Sequence, residues 1–567
     1  MKPIRILTAC LLLLPGAFAV SAQSQSGAAQ GEYIENVDVN VVNVDVYVTD
    51  KSGQRVKGLT KDDFEVFENG KKVAITNFYT VEGGKAMMVE EPSPPAEPGK
   101  PAPPVEAQVA PVPEDQRLRL IVYIDNFNLH PFNRNRVMRE LRAFLANKLT
   151  RGDQVMLVSY DRSLHVRRTF TSDPDLINDA LVELEKVSGH AVHHDSERRD
   201  VLRNIEDSRS AAEAMSHARS YAQSTFNDLS FSIDALKDFI TSLAGMPGRK
   251  AILYVSDGLQ MIAGQDVYYA VQSKYSEQAT GMTEFLQFDA SRRFTELANN
   301  ANANRVTFYT IDAAGLRVSS SISAENQTAG QGIYVDQIQI SNLQAPLQML
   351  AEKTGGVAII NANQVTPHLE RVAQDFGSYY SLGYTPTHYG DGRYYKIEVK
   401  LKQKQKGLQV RHREGYRDKS TESRMSDGTL AVLNFPFEDN KFGVELEFGQ
   451  MTPRENGHYL VSVLVKIPLG KLVFVPREQT HEGRVRLYIA AMDDKGGTSD
   501  VQQVQLPISI PAADVQAAMG KHYSFSVSLL MRRGDQKVAV GVRDDVAGES
   551  SFVSRMLRVG TQVSSGN

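Results

Sequence analysis

Four short runs of apolar, mostly β-branched or aromatic residues each stop at an aspartate: RLIVYID at 119–125, VMLVSYD at 155–161, AILYVSD at 251–257 and VTFYTID at 306–312. Runs of this length are too short for buried helices, and their side chains suit a pleated surface. Strands that are apolar throughout, without alternation, belong to parallel sheets covered on both faces. The intervening segments supply the cover. Val137, Leu141, Phe144, Leu145 and Leu149 recur at helical spacing, Asp173-Pro174 opens a helix with Asp at the N-cap, and another helix is expected over 228–243. The fold class that follows is a doubly wound, Rossmann-like α/β domain over residues 117–376. Its four terminal aspartates, Asp125, Asp161, Asp257 and Asp312, are expected along the C-terminal edge of the sheet, where open α/β sheets bind ligands. With Asn126 they form the candidate partner-binding edge.

The rest of the 567-residue chain exceeds one hydrophobic core and divides by composition. Lys2 and Arg5, the apolar runs 11–14 and 17–20, and Val20-Ser21-Ala22 before Gln23 read as a secretory signal peptide over 1–22, which predicts a periplasmic or extracellular protein. Residues 33–83 read as a small β-sandwich-like module, since Val42, Val44, Val46 and Val48 alternate with polar residues and Asn69-Gly70 marks a hairpin. Residues 84–116, rich in Pro, Ala and Glu, read as an extended linker. A charged stretch without glycine or proline at 195–223 points to a helical insertion over 190–227. Residues 377–418 read as a β tail, and regular short strands over 430–562 as a larger C-terminal β-sandwich.

Several function classes fall away. A formal net charge of −4 argues against nucleic-acid binding, and no window after the signal has the roughly 18 apolar residues of a membrane span. The single cysteine, Cys10, lies in the signal, so the mature chain has no disulfide, thiol nucleophile or cysteine metal ligand. There is no G-x-S-x-G elbow. His190 and His194 have the i, i+4 spacing of paired zinc ligands, but the Glu of H-E-x-x-H is missing and loop histidines are common.

The middle domain resembles a von Willebrand factor A domain. The likeness is carried by the strand into Asp125, GDQVMLVSYD at 152–161, GRKAILYVSDG at 248–258 and NRVTFYTIDAAG at 304–315. The order of β module, A-like domain and YYSLGY…VRHREGYR tail is similar to exported bacterial proteins called VWFA-related. Such domains hold a divalent cation at a metal-ion-dependent adhesion site: D-x-S-x-S after the first strand, a loop Thr, and an Asp after a later strand. The resemblance places Asp125 and Asp257 at the two aspartates, but Phe127 and Leu129 at the two serines. Asn126 or Asn128 would have to supply amide oxygens instead, which makes Asp125, Asn128 and Asp257 the candidate ligands of a degenerate Mg²⁺ or Ca²⁺ site. The resulting expectation is an exported, non-catalytic, adhesion-type protein that binds a protein partner. The alternatives are a metal-dependent hydrolase using His190 and His194, and a structural cell-envelope component without a ligand site.

Overall fold

The computed structural model describes residues 41–83, 85–88, 108–111, 117–148, 153–275, 282–317, 331–402, 407–437 and 439–560. The signal peptide expected over 1–22 and most of the linker expected over 84–116 lie outside the described residues. Residues 40–420 form one compact unit, and residues from Thr421 onward belong to a second.

In the first unit the chain begins with six strands, β1 (Val42–Thr49), β2 (Phe64–Glu68), β3 (Lys71–Val73), β4 (Asn77–Glu82), β5 (Lys85–Met88) and β6 (Gln108–Pro111). The strands that follow build the α/β domain: β7 (Leu118–Asp125), β8 (Gln154–Tyr160), β9 (Leu164–Thr171), β10 (Arg249–Ser256), β11 (Val306–Asp312) and β12 (Ala358–Ile359). Their order across the sheet is β12-β11-β10-β7-β8-β9. All pairs are parallel except the edge pair β8–β9. Every residue of β7 and β10 is buried, the apolar runs 120–124 and 251–255 as expected and also Arg119, Arg249 and Lys250 at the strand starts. Strand order reverses between β7 and β10, so the crevice of this doubly wound sheet opens where Asp125 and Asp257 lie.

Alternate residues of β7 face opposite layers. Leu120, Val122 and Ile124 share a core with helices α1 (Pro131–Lys148), α2 (Pro174–Glu185) and α8 (Thr366–Gly377). On the other face Tyr123 packs on Phe239 of α4 (Ala211–Ser242). The start of α2 is as expected, with Asp173 accepting from the Asp175 amide at 3.0 Å. The charged stretch is indeed helical: α3 (Ala191–Asp207) is a separate helix, but the second part of the insertion runs unbroken into the domain helix as α4. One face of α3 and α4 is buried despite the charged composition. Ile205, Met215, Ala218 and Ala222 pack on Val267, Tyr268 and Val271 of α5 (Gln265–Tyr275), a helix not anticipated from sequence. The set is completed by α6 (Ser291–Ala303) and α7 (Gln331–Thr354).

The segments 33–83 and 377–418, read above as a module and a separate tail, share the same sheets. Strands β13 (Tyr379–Tyr384), β14 (Tyr394–Leu401), β15 (Gln409–Arg411) and β16 (Gly415–Arg417) interleave with β1–β6. The two sheets run β15-β1-β13-β4-β5-β6 and β16-β14-β2-β3. Val42 pairs with Tyr384 and Glu68 with Ile397. Val44, Val46, Phe64 and Val66 meet Tyr380, Leu382 and Val399 in one core, so this sandwich is discontinuous in sequence and the α/β domain is inserted within it. The linker expectation is corrected at both ends: β5 and β6 pair antiparallel and extend the first sheet.

The second unit opens with α9 (Thr421–Asn434), ahead of the expected start at 430. A three-stranded sheet and a five-stranded sheet enclose a core that includes Val463, Val465, Leu487 and Val540. Its last strand, Ser550–Val559, was not anticipated.

Candidate functional site

The C-terminal edge of the α/β sheet brings all four strand-end aspartates together in one region, but most of their oxygens are already used. Asp125 is buried, and its Oδ2 accepts from Tyr254 at 2.7 Å, from Ser256 at 2.9 Å and from the Asn128 amide at 2.9 Å. Burial raises its pKa against the lowering effect of these donors. Asn126 is buried too; it donates to the Ser188 carbonyl at 2.7 Å and accepts from Arg134. Arg134, wholly buried in the first turn of α1, also donates to the carbonyls of Val187 and Glu185 at 2.8 and 2.9 Å. Asp312 is held by Arg317 at 2.7 Å and by Gln344 at 2.8 Å. Asp161 lies 2.9 Å from Nε2 of His190.

Asp257 has a different role. Its Oδ2 accepts from both the backbone N–H and the Nδ1 of His130, at 2.9 and 2.7 Å, while Asn133 donates to the same carboxylate. The other ring nitrogen of His130 lies 2.8 Å from Asp195 on α3. Hydrogen bonds first to Asp195 and then to Asp257 push the His130 pKa up to about 10, so the ring is an imidazolium at neutral pH. Partial burial works the other way on Asp195, but His130 keeps its carboxyl below the usual range. A cation between two carboxylates therefore ties the inserted helix to the end of β10. Gly258, at φ +109°, turns the chain away beneath α7, where a Cβ would stand 2.8 Å from Leu343.

The residues at the two serine positions of the adhesion motif are apolar and inward. Phe127 is 3% exposed and Leu129 fully buried. The Phe127 ring packs edge-on to His194 at 4.6 Å and against His190 at 5.9 Å, with Arg162 over its face. A hard divalent cation needs a shell of oxygens. Around Asp125, Asn128 and Asp257 two shell positions are hydrocarbon, Asn128 turns its amide nitrogen to Asp125, and both carboxylates are occupied by protein donors, so these residues do not fit such an ion. His190 and His194 are separated in role: one meets Asp161, while burial lowers the pKa of the other beside Phe127. Among the described residues, one other group, His388, Asp391 and Asp418 in the β-sandwich, has ligand atoms within 4.8 Å of one another. Its atoms are engaged by protein: His388 bridges Asp418 at 2.8 Å and Glu68 at 3.1 Å, and Tyr395 donates to Asp391.

Above the sheet edge lies a groove of about 1530 Å³. Its floor includes Phe127, Asn128, His130, Asp257 and Gly258, and its walls are α3, α4 and α7. Ser220, Ser224 and Asp228 line it from α4, and the 66%-exposed Phe231 continues that helical face one turn further. Arg198 crosses beneath α3 to Asp266 at 2.6 Å, which fixes the wall to α5. His130, Arg134 and Asn133 escaped the sequence reading because nothing local distinguishes them. The one available signal was polarity directly after a strand end at a switch point.

No protein-family model matches the chain, and no curated protein matches it. Among solved structures it is similar to a von Willebrand factor type A protein from Catenulispora acidiphila, at 11% identity over 88% of this chain and 72% of that one, with a TM-score of 0.21. It is also similar to the vWF domain of the type V pili tip protein Mfa5 from Porphyromonas gingivalis (12% identity, 46% of this chain, 94% of that one, TM-score 0.23). A third is the conserved hypothetical protein BatB from Bacteroides thetaiotaomicron (12%, 46% and 96%, TM-score 0.21). At these TM-scores the superpositions carry no weight. The strand order, the parallel register and the aspartates at the strand ends identify the fold.

Proposed function

We propose that this chain, whose middle domain has a von Willebrand factor A-like fold, is an exported, non-catalytic interaction protein that receives a protein partner in the groove at the C-terminal edge of its sheet. The observation that carries the reading is the groove itself: a site of about 1530 Å³ at the strand-order switch, walled by an insertion with its own apolar core. In this reading the adhesion site is degenerate and works without a divalent cation, because the Asp125–Asp257 edge is a scaffold of internal hydrogen bonds. The partner meets the groove walls instead, with the Asp195 and Asp228 carboxylates in the lining and the exposed Phe231, one turn beyond Asp228 on α4, as an apolar anchor point. Among the described residues no helix is long and apolar enough to cross a membrane, in keeping with an exported domain.

Site-specific photo-crosslinking tests this. A photo-reactive residue at Ser224 in the groove is compared in the producing cells with one at Glu296 on α6. Capture of one discrete protein from Ser224, lost when Ser220→Trp fills the groove, supports the reading. Equal capture from both positions, or capture that survives Ser220→Trp, refutes it.

A further inference from the structure

We propose that the seam between the discontinuous sandwich and the A-like domain binds a small monovalent anion of halide size. A cavity of about 30 Å³ lies at this seam, lined from the A-like side by Arg249 and Arg305 and from the sandwich side by Asp45 and Arg413. Three guanidinium groups therefore meet one carboxylate. Arg249, which is buried, uses that carboxylate, with its Nε 2.8 Å from Asp45, and donates to the Tyr47 hydroxyl at 2.6 Å. Among the described residues, Arg413 donates to carbonyls, those of Asn43 at 2.8 Å and Asn302 at 3.3 Å, and to no carboxylate. Arg305, half-buried with a left-handed backbone, has no acidic partner among the described residues. The next acid along the seam, Asp375, is already shared by Arg55, Arg411 and the Tyr309 hydroxyl.

Carbonyl dipoles satisfy hydrogen bonds without cancelling charge, and a buried cation left without a counter-charge is costly. Burial and then the neighbouring Arg305 pull the Arg413 pKa down to about 10, outweighing the opposite pull of Asp45, the carboxylate that Arg249 already engages. The cavity is large enough for one halide ion or a water or two, since a water-sized sphere needs about 10–15 Å³. A tetrahedral oxyanion such as sulfate exceeds it. One oxygen of Asp45 has no hydrogen-bond partner, which a water would serve, but water does nothing for the excess positive charge. The ligand is thus selected by sign and by size, and its role is to let the two domains of this unit close on each other.

Size selection gives a sharp test on the purified full chain. Thermal unfolding is followed in halide-free gluconate buffer while sodium chloride, bromide or sulfate is added at matched ionic strength. Sulfate, being more strongly excluded from protein surface, is the better general stabiliser. A specific site reverses that order, with a saturable rise of a few degrees at millimolar chloride or bromide and less with sulfate. Arg413→Met should abolish the halide-specific rise; Arg305→Met, at a more accessible position, should weaken it if the first variant does not fold. Bromide-soaked crystals should show an anomalous peak between Arg249 and Arg413. Sulfate matching chloride, a halide response unchanged in both variants, or a cavity without a bromide peak would overturn the proposal.

Discussion

Replacing His130 by Gln removes the cation that joins Asp257 to Asp195 and should loosen the α3 wall of the groove without dismantling the sheet. The ring makes two charge-assisted hydrogen bonds, at 2.7 and 2.8 Å. In buried settings such bonds contribute about 1.5–3 kcal/mol each. Asp195 is 48% exposed, so its share is heavily screened by solvent, and Asp257 keeps the backbone N–H of residue 130 and the Asn133 amide. The expected loss is therefore about 2 kcal/mol, or roughly 4–8 °C for a domain of this size. The pH dependence has a definite sign. The folded-state pKa of about 10 exceeds the usual histidine value of 6.5, so the contribution is complete below pH 6.5 and is lost as pH rises towards 10. The assay is urea unfolding of the wild type and His130→Gln at pH 6, 8 and 10, with hydrogen exchange read over Ala191–Asp207. The gap between the proteins should shrink steadily across that range, and α3 amides should exchange faster in the variant. A gap that is constant or grows with pH, or unchanged α3 exchange, refutes the clamp.

Titration with millimolar Mg²⁺, Mn²⁺ or Ca²⁺ should leave the melting temperature of the wild type unchanged; a saturable rise that Asp125→Ala removes would restore the metal reading. Asp125→Ala should itself cost about 3 kcal/mol in urea unfolding, because the Tyr254 and Ser256 hydroxyls lose their buried acceptor. Asp375→Ala strands Arg55 and Arg411, and calorimetry should show a loss of about 3–5 kcal/mol and separation of sandwich and A-like melting into two transitions. A chain ending at residue 376 should leave β1 without β13 and β15; limited proteolysis should then degrade residues 41–83 while the α/β domain resists.

The α/β sheet was legible because each central strand declares itself locally. Leu120 to Ile124 and Ala251 to Val255 are buried on both faces, and the middle of a doubly buried strand favours unbroken apolar residues, with polar ones at its ends. The sandwich was half legible. Alternation of Val42, Val44, Val46 and Val48 fixes which face is buried but carries no information on which strand lies alongside, so the pairing with Tyr379–Tyr384 stayed hidden. The strands Lys85–Met88 and Gln108–Pro111 were hidden by the proline-rich composition around them. At the site the positions of the four aspartates were readable but their engagement was not. A carboxylate at a strand end looks like an exposed ligand, and only the neighbouring strand, which contributes Tyr254 and Ser256, shows that Asp125 is an internal acceptor. Phe127 and Leu129 were readable as departures from the motif, and their burial explains them as packing residues.

The split sandwich also sets an order of events for a newly made chain. Strand β1 waits for partners that arrive roughly 340 residues later, a separation at which loop closure is slow and unpaired edges stay open. The inserted domain needs nothing from either half to complete its own sheet, so it can form first and bring its two ends together. In doing so it shortens the effective loop that β1 and β13 must close. Slow folding of the insert would leave Val42–Thr49 exposed as an adhesive edge.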